Sequence, residues 1–300
     1  MQRVRFIINP RSGQQDFERV ERWIQELVDR TRFDFDICRT EFGGHATELA
    51  REAADAGYDI VVAVGGDGSV SEVMSGLIGS KTILGIVPGG SGNGFSMYLG
   101  WGRKAKKALQ LFGKKTSVIK TDTGLMNGKP FINLAGIGLE AVVAQRLRTM
   151  TKRGFQAYFK ATVSTIFTYK HKNYKITVDG KTIEREALSV TIANAPMYGY
   201  NFVIAPLAKL NDGELEVMII KKAPIWKYLI SLPKMLTKSF HKAIVVERLH
   251  GKNITIECFE ADYGQFDGEG FPLETRTVSF GINPSSLYVL VPDFSPALEV

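Results

Sequence analysis

An apolar run that breaks into a glycine turn constrains the fold of this chain more than any other feature. Residues 61–64 are Val-Val-Ala-Val, and the turn Gly65-Gly66-Asp67-Gly68-Ser69 follows directly, before a helix-like segment at 70–77. A buried strand, a tight turn and a helix N-terminus direct backbone N–H groups and a positive dipole end at one point, which suits phosphate. The turn lacks the Gly-Lys-Ser/Thr of a P-loop and the spacing of a dinucleotide fingerprint. It therefore predicts phosphate binding but no particular reaction.

Strands and helices alternate along the first part of the chain. Short apolar runs predict four strands, at residues 4–8, 33–38, 59–64 and 82–87. Helices are predicted between them, at residues 17–28, 46–56 and 70–77. This alternation is typical of a parallel sheet that helices cover on both faces. We therefore predict an α/β domain whose ligands bind at the carboxyl ends of the strands.

Three of these strands end in turns of glycine and small polar residues. Besides the turn at 65–69, they are Asn9-Pro10-Arg11-Ser12-Gly13 and Pro88-Gly89-Gly90-Ser91-Gly92-Asn93-Gly94. Because parallel strands end at one edge of the sheet, we expect the three turns to lie together. Glycine allows close approach of the backbone to phosphate. We expect side-chain contacts from Asn9, Arg11, Ser12, Ser91 and Asn93, and we expect Asp67 to face a metal or a nucleotide hydroxyl.

The pattern changes near residue 120. Strand-like runs, one of them at residues 131–135, are separated by turn signals such as Asn-Gly and Asp-Gly, and helices are expected only at about 138–170 and 224–238. We predict an α/β nucleotide-binding domain at residues 1–122 and a mainly antiparallel β-sandwich domain at residues 123–300. The strand-like segment at 286–291 could return to either domain.

Charge and cysteine content bear on partners and compartment. The 300 residues carry a formal net charge of +7, with a pI near 9.2, which favours anionic partners: nucleotides, nucleic acid or anionic lipid surfaces. Cys38 and Cys258 are far apart in sequence, and we expect idle thiols in a reducing compartment. No signal peptide and no run of about 18 apolar residues is apparent. We expect a cytoplasmic protein.

A second acidic motif, Asp267-Gly268-Glu269, lies in the predicted β domain. From spacing alone, a solvated turn is the favoured interpretation. The functional interpretation is a pair of carboxylates, one of which acts as a general base toward a hydroxyl group. Phosphoryl transfer needs a phosphate cradle, a metal and a base that orients the nucleophile. A cradle in one domain and a carboxylate in the other would place such a reaction in the cleft between them.

Four motifs together resemble the diacylglycerol kinase catalytic-domain family, which includes bacterial soluble lipid kinases, sphingosine kinases and ceramide kinases. The three turns and the Asp-Gly-Glu motif follow the family's order and spacing over roughly residues 3–291. The resemblance implies an ATP-dependent kinase, with the nucleotide between an α/β domain and a β-sandwich domain. Positions that match the family's ATP contacts are Asn9, Pro10, Arg11, Ser12, Gly13, Thr40, Gly65, Gly66, Asp67, Gly68, Ser69, Val70, Ser71 and Ser91. Asp267 and Glu269 match the motif that supplies the catalytic base, and either could take the proton.

The segment at residues 205–215 also resembles a family motif. In bacterial members the corresponding loop binds a structural Mg²⁺ through one carboxylate and neighbouring carbonyls. The matching positions here are Lys209, Asp212 and Glu214. Oxygen ligands suit this hard cation. Without the resemblance, an Asp-Gly hairpin is the first interpretation of these residues.

The acceptor and two alternative functions are left open. This chain has Ser69 where bacterial diacylglycerol kinases often have Thr, and residues 90–93 are Gly-Ser-Gly-Asn, a form more like the sphingoid-base and ceramide branch. Diacylglycerol-like and sphingoid or ceramide-like acceptors are therefore both open. NAD kinases share the Gly-Gly-Asp-Gly turn and the two-domain plan, although the Asn-Pro-x-Ser-Gly turn and the Asp-Gly-Glu motif argue against that function. A non-catalytic nucleotide- or lipid-binding module is disfavoured because both acids are present.

The leading interpretation is a lipid kinase that acts peripherally at a membrane surface, with ATP and Mg²⁺ as cofactors, no nucleic-acid partner and a homodimer left open. Residues 225–238 mix bulky apolar residues with lysines. They could dock on an anionic membrane, or they could form a helix that covers the β domain. Arg146, Arg148, Lys152 and Arg153 form a basic run that is typical of a solvated helix face and would also favour an anionic surface.

Overall fold

The computed structural model describes residues 1–13, 16–150, 154–260 and 262–298. The chain forms two compact units: Met1–Asp122 with Pro284–Val300, and Thr123–Asn283. The C-terminal segment therefore belongs to the first unit. Lys152 and Arg153 of the basic run lie outside the described residues, as does the side chain of Arg148.

The first unit is built on a parallel sheet, which confirms the predicted α/β fold. Its strands follow the order β15-β4-β3-β1-β2, and every pairing among them is parallel. The strands are β1 (Gln2–Ile8), β2 (Phe33–Arg39), β3 (Ile60–Gly65), β4 (Ile83–Pro88) and the C-terminal part of β15 (Thr277–Pro292). The helices are α1 (Phe17–Leu27), α2 (His45–Asp55), α3 (Asp67–Leu77), α4 (Gly94–Tyr98) and α5 (Ala105–Leu111).

Burial explains why these segments form strands and helices. Every residue of β3 is buried, as expected for a strand that helices cover on both faces. On α1, Val20 and Ile24 form the buried side, one turn apart. The carboxylate of Asp16 accepts the N–H groups of Glu18 and Arg19 at the N-terminus of α1. Such a cap stabilises a helix by about 1 kcal/mol.

The second unit is mainly antiparallel, which confirms the predicted β-sandwich class. Its strands follow the order β14-β13-β7-β9-β8-β12-β15, with β10 paired to β9 and β11, and β6 paired to β5. They are β5 (Thr116–Met126), β6 (Lys129–Phe131), β7 (Leu134–Gly138), β8 (Lys172–Val178), β9 (Lys181–Ala193), β10 (Leu215–Lys221), β11 (Val246–Gly251), β12 (Ile254–Cys258), β13 (Tyr263–Phe266) and β14 (Glu269–Pro272). The helices are α6 (Leu139–Thr149), α7 (Phe155–Thr168), α8 (Ile225–Ser231) and α9 (Pro233–Leu236). Both β5 and β15 run through the two units.

Two apolar layers hold the second unit together. Because successive side chains of a strand point to opposite faces, Leu215, Val217 and Ile219 of β10 lie in one core, which is formed among the strands. Met218, between them, faces the other way, into a core shared with α6, α7 and α8. One face of this sheet is therefore covered by helices.

The strand predicted at residues 131–135 is interrupted, because β6 ends at Phe131, β7 begins at Leu134, and the chain leaves the sheet between them. The backbone N–H groups of Ile132 and Asn133 donate to the carboxylate of Asp267 rather than to a neighbouring strand. A long-range side chain thus replaces the strand pairing that the local composition predicts.

Candidate functional site

The three glycine-rich turns of the first unit lie together. Backbone hydrogen bonds join them: the N–H of Gly89 donates to the carbonyl of Gly65 at 2.7 Å, and the N–H of Asn9 donates to that of Val64 at 3.1 Å. Thr40, which follows β2, donates its N–H to the carbonyl of Ile8 at 2.9 Å. The carboxyl ends of four adjacent strands therefore form one edge, as expected from the sequence.

Glycine is required where these turns approach each other. Gly13 has a φ of 70°, and a Cβ atom on it would lie 2.1 Å from the carbonyl oxygen of Gly89. A Cβ atom on Gly90 would lie 2.5 Å from the Cα atom of Gly66. No side chain fits at such distances, so the turns form a backbone surface of the kind that phosphate groups contact.

Two polar side chains join the turns. The Nδ2 of Asn9 donates to the Oγ of Ser69 at 3.1 Å, and its Oδ1 accepts the N–H of Arg11 at 2.9 Å. The Oγ of Ser12 accepts the N–H of Gly66 at 2.8 Å. Asn9 and Ser12 therefore fix the shape of the predicted cradle.

The N-cap residue of α3 is Gly66, which has no side chain to cap the helix. Its first residue, Asp67, instead accepts the N–H groups of Gly94 and Phe95 at the start of α4, at 3.1 and 3.2 Å. Burial raises the pKa of Asp67, and those N–H donors oppose the shift. The residue as a whole keeps some exposure. Asp67 thus holds the third turn in place. From the sequence we predicted only that it faces a metal or a nucleotide hydroxyl, and this positioning role was missed.

Two residues of the third turn that were predicted to contact a nucleotide, Ser91 and Asn93, differ in exposure. Ser91 is partly exposed, and its carbonyl accepts from Arg103 at 3.1 Å. Asn93 is 2% exposed, and its side chain bonds only within the turn in the contacts described, accepting from and donating to Gly90. The expectation that the Asn93 side chain reaches a nucleotide is therefore wrong: the amide fixes the turn. Arg11 is exposed, and Pro10 and Gly68 are partly exposed.

In the second unit, backbone donors hold the Asp267 carboxylate. It accepts the N–H groups of Ile132, Asn133 and Leu134 at 3.0, 2.9 and 3.2 Å, and it is 7% exposed. Three such donors stabilise the charge and fix the orientation of a carboxylate. Asp267 has a φ of 47°, in the tight turn between β13 and β14.

Glu269 has a different environment. It is exposed, at the start of β14. The two acids of the motif therefore differ: Asp267 is buried and held in one orientation, whereas Glu269 faces solvent.

Two residues that shape this turn were missed by sequence reasoning. Gln265 is 1% exposed, and its Oε1 accepts the N–H of Gly268 at 3.1 Å, while its Nε2 finds no acceptor among the described residues. Asn133 donates its side chain to the carbonyl of Met197 at 2.7 Å. A polar residue inside an apolar strand-like run, as at position 133, is the signal that could have indicated it.

A buried carboxyl group on α6 was also missed. Glu140 accepts the hydroxyl of Thr191 at 2.7 Å and the hydroxyl of Tyr198. Burial raises the pKa of Glu140 to about 7, against the effect of these two donors. The sequence carries no local pattern that distinguishes this acid from a solvated first-turn glutamate.

The loop with the predicted Mg²⁺ ligands offers few carboxylates. Asp212 accepts the N–H of Glu214 at 3.1 Å, and the Glu214 carboxylate lies 2.7 Å from the Nδ1 of His250. Lys209 is exposed and has only its carbonyl oxygen to offer a cation. Within the described residues, no three His, Cys, Asp or Glu side chains cluster as metal ligands. A cation would bind here only if main-chain oxygens and water supplied ligands in addition to the Asp212 carboxylate. The Mg²⁺ site stays a prediction.

Family comparisons divide the chain much as the structure does. The diacylglycerol kinase catalytic domain matches residues 3–126, and the YegS C-terminal NAD kinase beta sandwich-like domain matches residues 133–291. The first match contains the three turns, and the second contains the Asp-Gly-Glu motif.

Relatives match over most of their length. The chain is 31% identical over 237 residues to "Diacylglycerol kinase" of Bacillus subtilis (strain 168), covering 76% of this chain and 77% of that protein. It is 29% identical over 278 residues to "Diacylglycerol kinase" of Staphylococcus haemolyticus (strain JCSC1435), covering 89% and 82%. A crystal structure of a diacylglycerol kinase from Bacillus anthracis str. Sterne is similar over 98% of both chains, with a TM-score of 0.73 and 25% identity.

Proposed function

Because this chain belongs to the diacylglycerol kinase catalytic-domain family, we propose that it transfers the γ-phosphoryl group of ATP to a hydroxyl group of a lipid. The observation that carries this proposal is the backbone cradle of the first unit. Its turns approach so closely that only glycine fits, and they lie beside a helix N-terminus whose N-cap residue, Gly66, has no side chain. Uncapped N–H groups and a positive dipole end attract phosphate.

The donor nucleotide would bind at the three turns. The N–H groups of Gly68 and Ser69, in the first turn of α3, would contact its phosphates, and Arg11 would add a positive charge. Thr40 and Ser91, at the neighbouring strand ends, would contact the rest of the nucleotide. Mg²⁺ bound to ATP would neutralise charge on the β- and γ-phosphates, held chiefly by phosphate and water oxygens.

We assign the general base to Asp267. A base acts when it is fixed within hydrogen-bond reach of the proton it takes, and three backbone donors fix this carboxylate. Asp267 would accept the proton of the acceptor hydroxyl as its oxygen bonds to the γ-phosphorus and the bond to ADP breaks. Glu269, exposed to solvent, would add negative charge at the turn without a fixed contact to the reacting atoms.

The acceptor that the family best supports is diacylglycerol. The named relatives from Bacillus subtilis and Staphylococcus haemolyticus are diacylglycerol kinases. The Gly-Ser-Gly-Asn turn, which prompted the sphingoid or ceramide alternative, has its Asn93 side chain buried within the turn. Asn93 therefore fixes the shape of the turn, and its presence is no argument for a sphingoid acceptor.

The test is transfer of label from [γ-³²P]ATP, with Mg²⁺, to a panel of diacylglycerol, monoacylglycerol, sphingosine, ceramide, phosphatidylglycerol and NAD. We expect label in diacylglycerol. Label in sphingosine or ceramide alone would overturn the acceptor assignment. Label in NAD alone would establish the NAD kinase alternative that the β-sandwich match suggests, and ATP binding with no transfer to any acceptor would indicate a binding module.

A further inference from the structure

We propose that the outer face of helices α7, α8 and α9 docks on an anionic lipid bilayer. We use the name docking face for the exposed large apolar side chains of these helices: Phe155, Phe159, Phe167, Ile225, Trp226, Leu229, Ile230 and Leu236. The inference rests on the proposed function, because a lipid kinase must reach an acceptor that resides in a membrane. Among the described residues, no helix is long and apolar enough to cross a bilayer.

These helices cover one face of the sheet in the second unit. Ala161 and Ile166 of α7 and Tyr228 of α8 belong to one buried cluster with Leu188 and Met218 of the strands. The inner side of each helix is thus already satisfied by the core. What remains is the outer side of this helical layer.

Two hydrogen bonds and one ring contact hold the helical layer in place. The Nε2 of His171, just after α7, lies 2.8 Å from the hydroxyl of Tyr228 on α8. The carbonyl of Met235 on α9 accepts the N–H of Val203 at 2.9 Å. The ring of Phe155 stacks on that of Phe202, with centroids 5.9 Å apart. These contacts tie α7, α8 and α9 to neighbouring parts of the second unit.

The outer side carries bulky apolar side chains in contact with solvent. On α8, Trp226 is 55% exposed and Ile230 is 59% exposed, and Leu236 on α9 is 54% exposed. On α7, Phe159 is 47% exposed and Phe167 is 60% exposed. Single exposed apolar residues are ordinary, but a concentration of large ones on one layer marks an interaction surface.

Charge identifies the partner of this surface. Residues 141–178 and 217–246, which contain all three helices, carry fourteen Lys and Arg and no Asp or Glu. The whole chain has a net charge of only +7, so the remainder of it is net acidic. Four of these lysines pair with acids from other parts of the unit: Lys172, Lys175, Lys221 and Lys222. Lys227, in contrast, lies beside Trp226 on α8, its Nζ 5.5 Å from the ring centroid.

Large apolar side chains interspersed with lysines, and without acids, match an interface of acyl chains and anionic headgroups. Trp is favoured at this boundary because its ring is apolar and its N–H is polar. A protein partner would bury the same apolar groups, but it would have to match segments that contain lysines and arginines and no acids. We therefore assign the face to anionic lipid.

The experiment measures vesicle binding without ATP. The full chain is sedimented with vesicles of phosphatidylcholine, with or without phosphatidylglycerol. We expect binding to the anionic vesicles and at least about tenfold weaker binding when Trp226→Ser and Ile230→Ser are combined. Lys238 is exposed just after α9. Lys227→Gln with Lys238→Gln should weaken binding at low salt and lessen its salt dependence. Quenching of tryptophan fluorescence by brominated acyl chains should largely disappear in Trp226→Phe.

Matched controls are available in the same unit. Phe259 is 50% exposed but lies outside the helical layer, so Phe259→Ser should leave vesicle binding unchanged. Lys181→Gln with Lys252→Gln removes the same charge from exposed positions elsewhere in the unit and should weaken binding less than the Lys227 and Lys238 pair.

The outcomes separate this inference from the proposed function. If the wild-type chain fails to bind anionic vesicles, or if both docking-face variants bind like the controls, the docking face is wrong. It is also wrong if those variants dissociate a homodimer while vesicle binding persists. Phosphorylation of a short-chain diacylglycerol dispersed without vesicles should be unchanged in the Trp226/Ile230 variant. Absence of lipid phosphorylation by the wild type, with vesicle binding intact, would instead overturn the proposed function.

Discussion

A Cβ atom on Gly13 would lie 2.1 Å from the carbonyl oxygen of Gly89, so two of the three turns touch through their backbones. Overpacking such a contact costs about 1–3 kcal/mol, equivalent to roughly fivefold to 150-fold in affinity if the turns separate. We expect Gly13→Ala to weaken binding of a non-hydrolysable ATP analogue by about that factor in a calorimetric titration.

Gly57→Ala is the matched control. Gly57 has a φ of 71°, close to the 70° of Gly13, but nothing lies within 4 Å of its Cβ position. It therefore reproduces the backbone strain without the clash. Equal ATP affinity in the two variants would show that the contact between the turns does not shape the nucleotide site.

The two acids of the Asp-Gly-Glu motif should differ in their effect on turnover. We expect Asp267→Asn to lower kcat by about 10²-fold or more, because the base is lost, and Glu269→Gln to change it by less than about threefold. ATP affinity should be unchanged in both variants, since neither acid belongs to the turns. Asp267→Asn also disturbs three hydrogen bonds, so thermal unfolding must be measured alongside. Full turnover in a folded Asp267→Asn would contradict the base assignment.

The pKa of Glu140 predicts a pH-dependent stability. A folded-state pKa raised to about 7, from an ordinary value of 4.5, means that the folded state binds this proton more tightly than the unfolded state does. The stabilisation is complete below about pH 4.5 and is lost as pH rises through 7. Relative to Glu140→Gln, the wild-type free energy of unfolding should fall by about 2 kcal/mol over that range, a value that allows for the partial exposure of the residue.

Urea unfolding of both proteins at several pH values measures this difference. Taking the difference cancels the titration of other groups. Glu274→Gln, at an exposed position, is the control and should show no such trend. A difference between wild type and Glu140→Gln that is flat from pH 5 to 8 would contradict the buried environment of this carboxyl group.

The parts of the fold that the sequence predicted are those that local patterns determine. All six residues of β3 are buried, so an unbroken apolar run marked that strand, and the glycine turns marked the strand ends. The break between β6 and β7 escaped prediction because it depends on Asp267, more than 130 residues away in sequence. The positioning roles of Asp67 and Asn93, and the Glu140 contacts, escaped for the same reason: each depends on which groups the fold brings together.

The predicted Mg²⁺ site can be tested through stability. If Asp212 binds the cation, millimolar Mg²⁺ should raise the Tm of the wild type by about 2–4 °C, because a ligand that binds only the folded state stabilises it. Asp212→Asn should abolish the shift. Glu214→Gln should retain it, since the Glu214 side chain contacts His250 and only its carbonyl is a proposed ligand. An equal shift in Asp212→Asn would place the cation elsewhere.

Joint measurement of the two reaction products tests the central claim most directly. ADP and phosphorylated lipid are quantified together in a time course with Mg-ATP and short-chain diacylglycerol, for the wild type and for Asp267→Asn. We predict one ADP for each phosphorylated diacylglycerol in the wild type. In the variant we predict that the rate is lower by about 10²-fold or more. ADP formation without phosphorylated lipid, or equal rates in the two proteins, would contradict it.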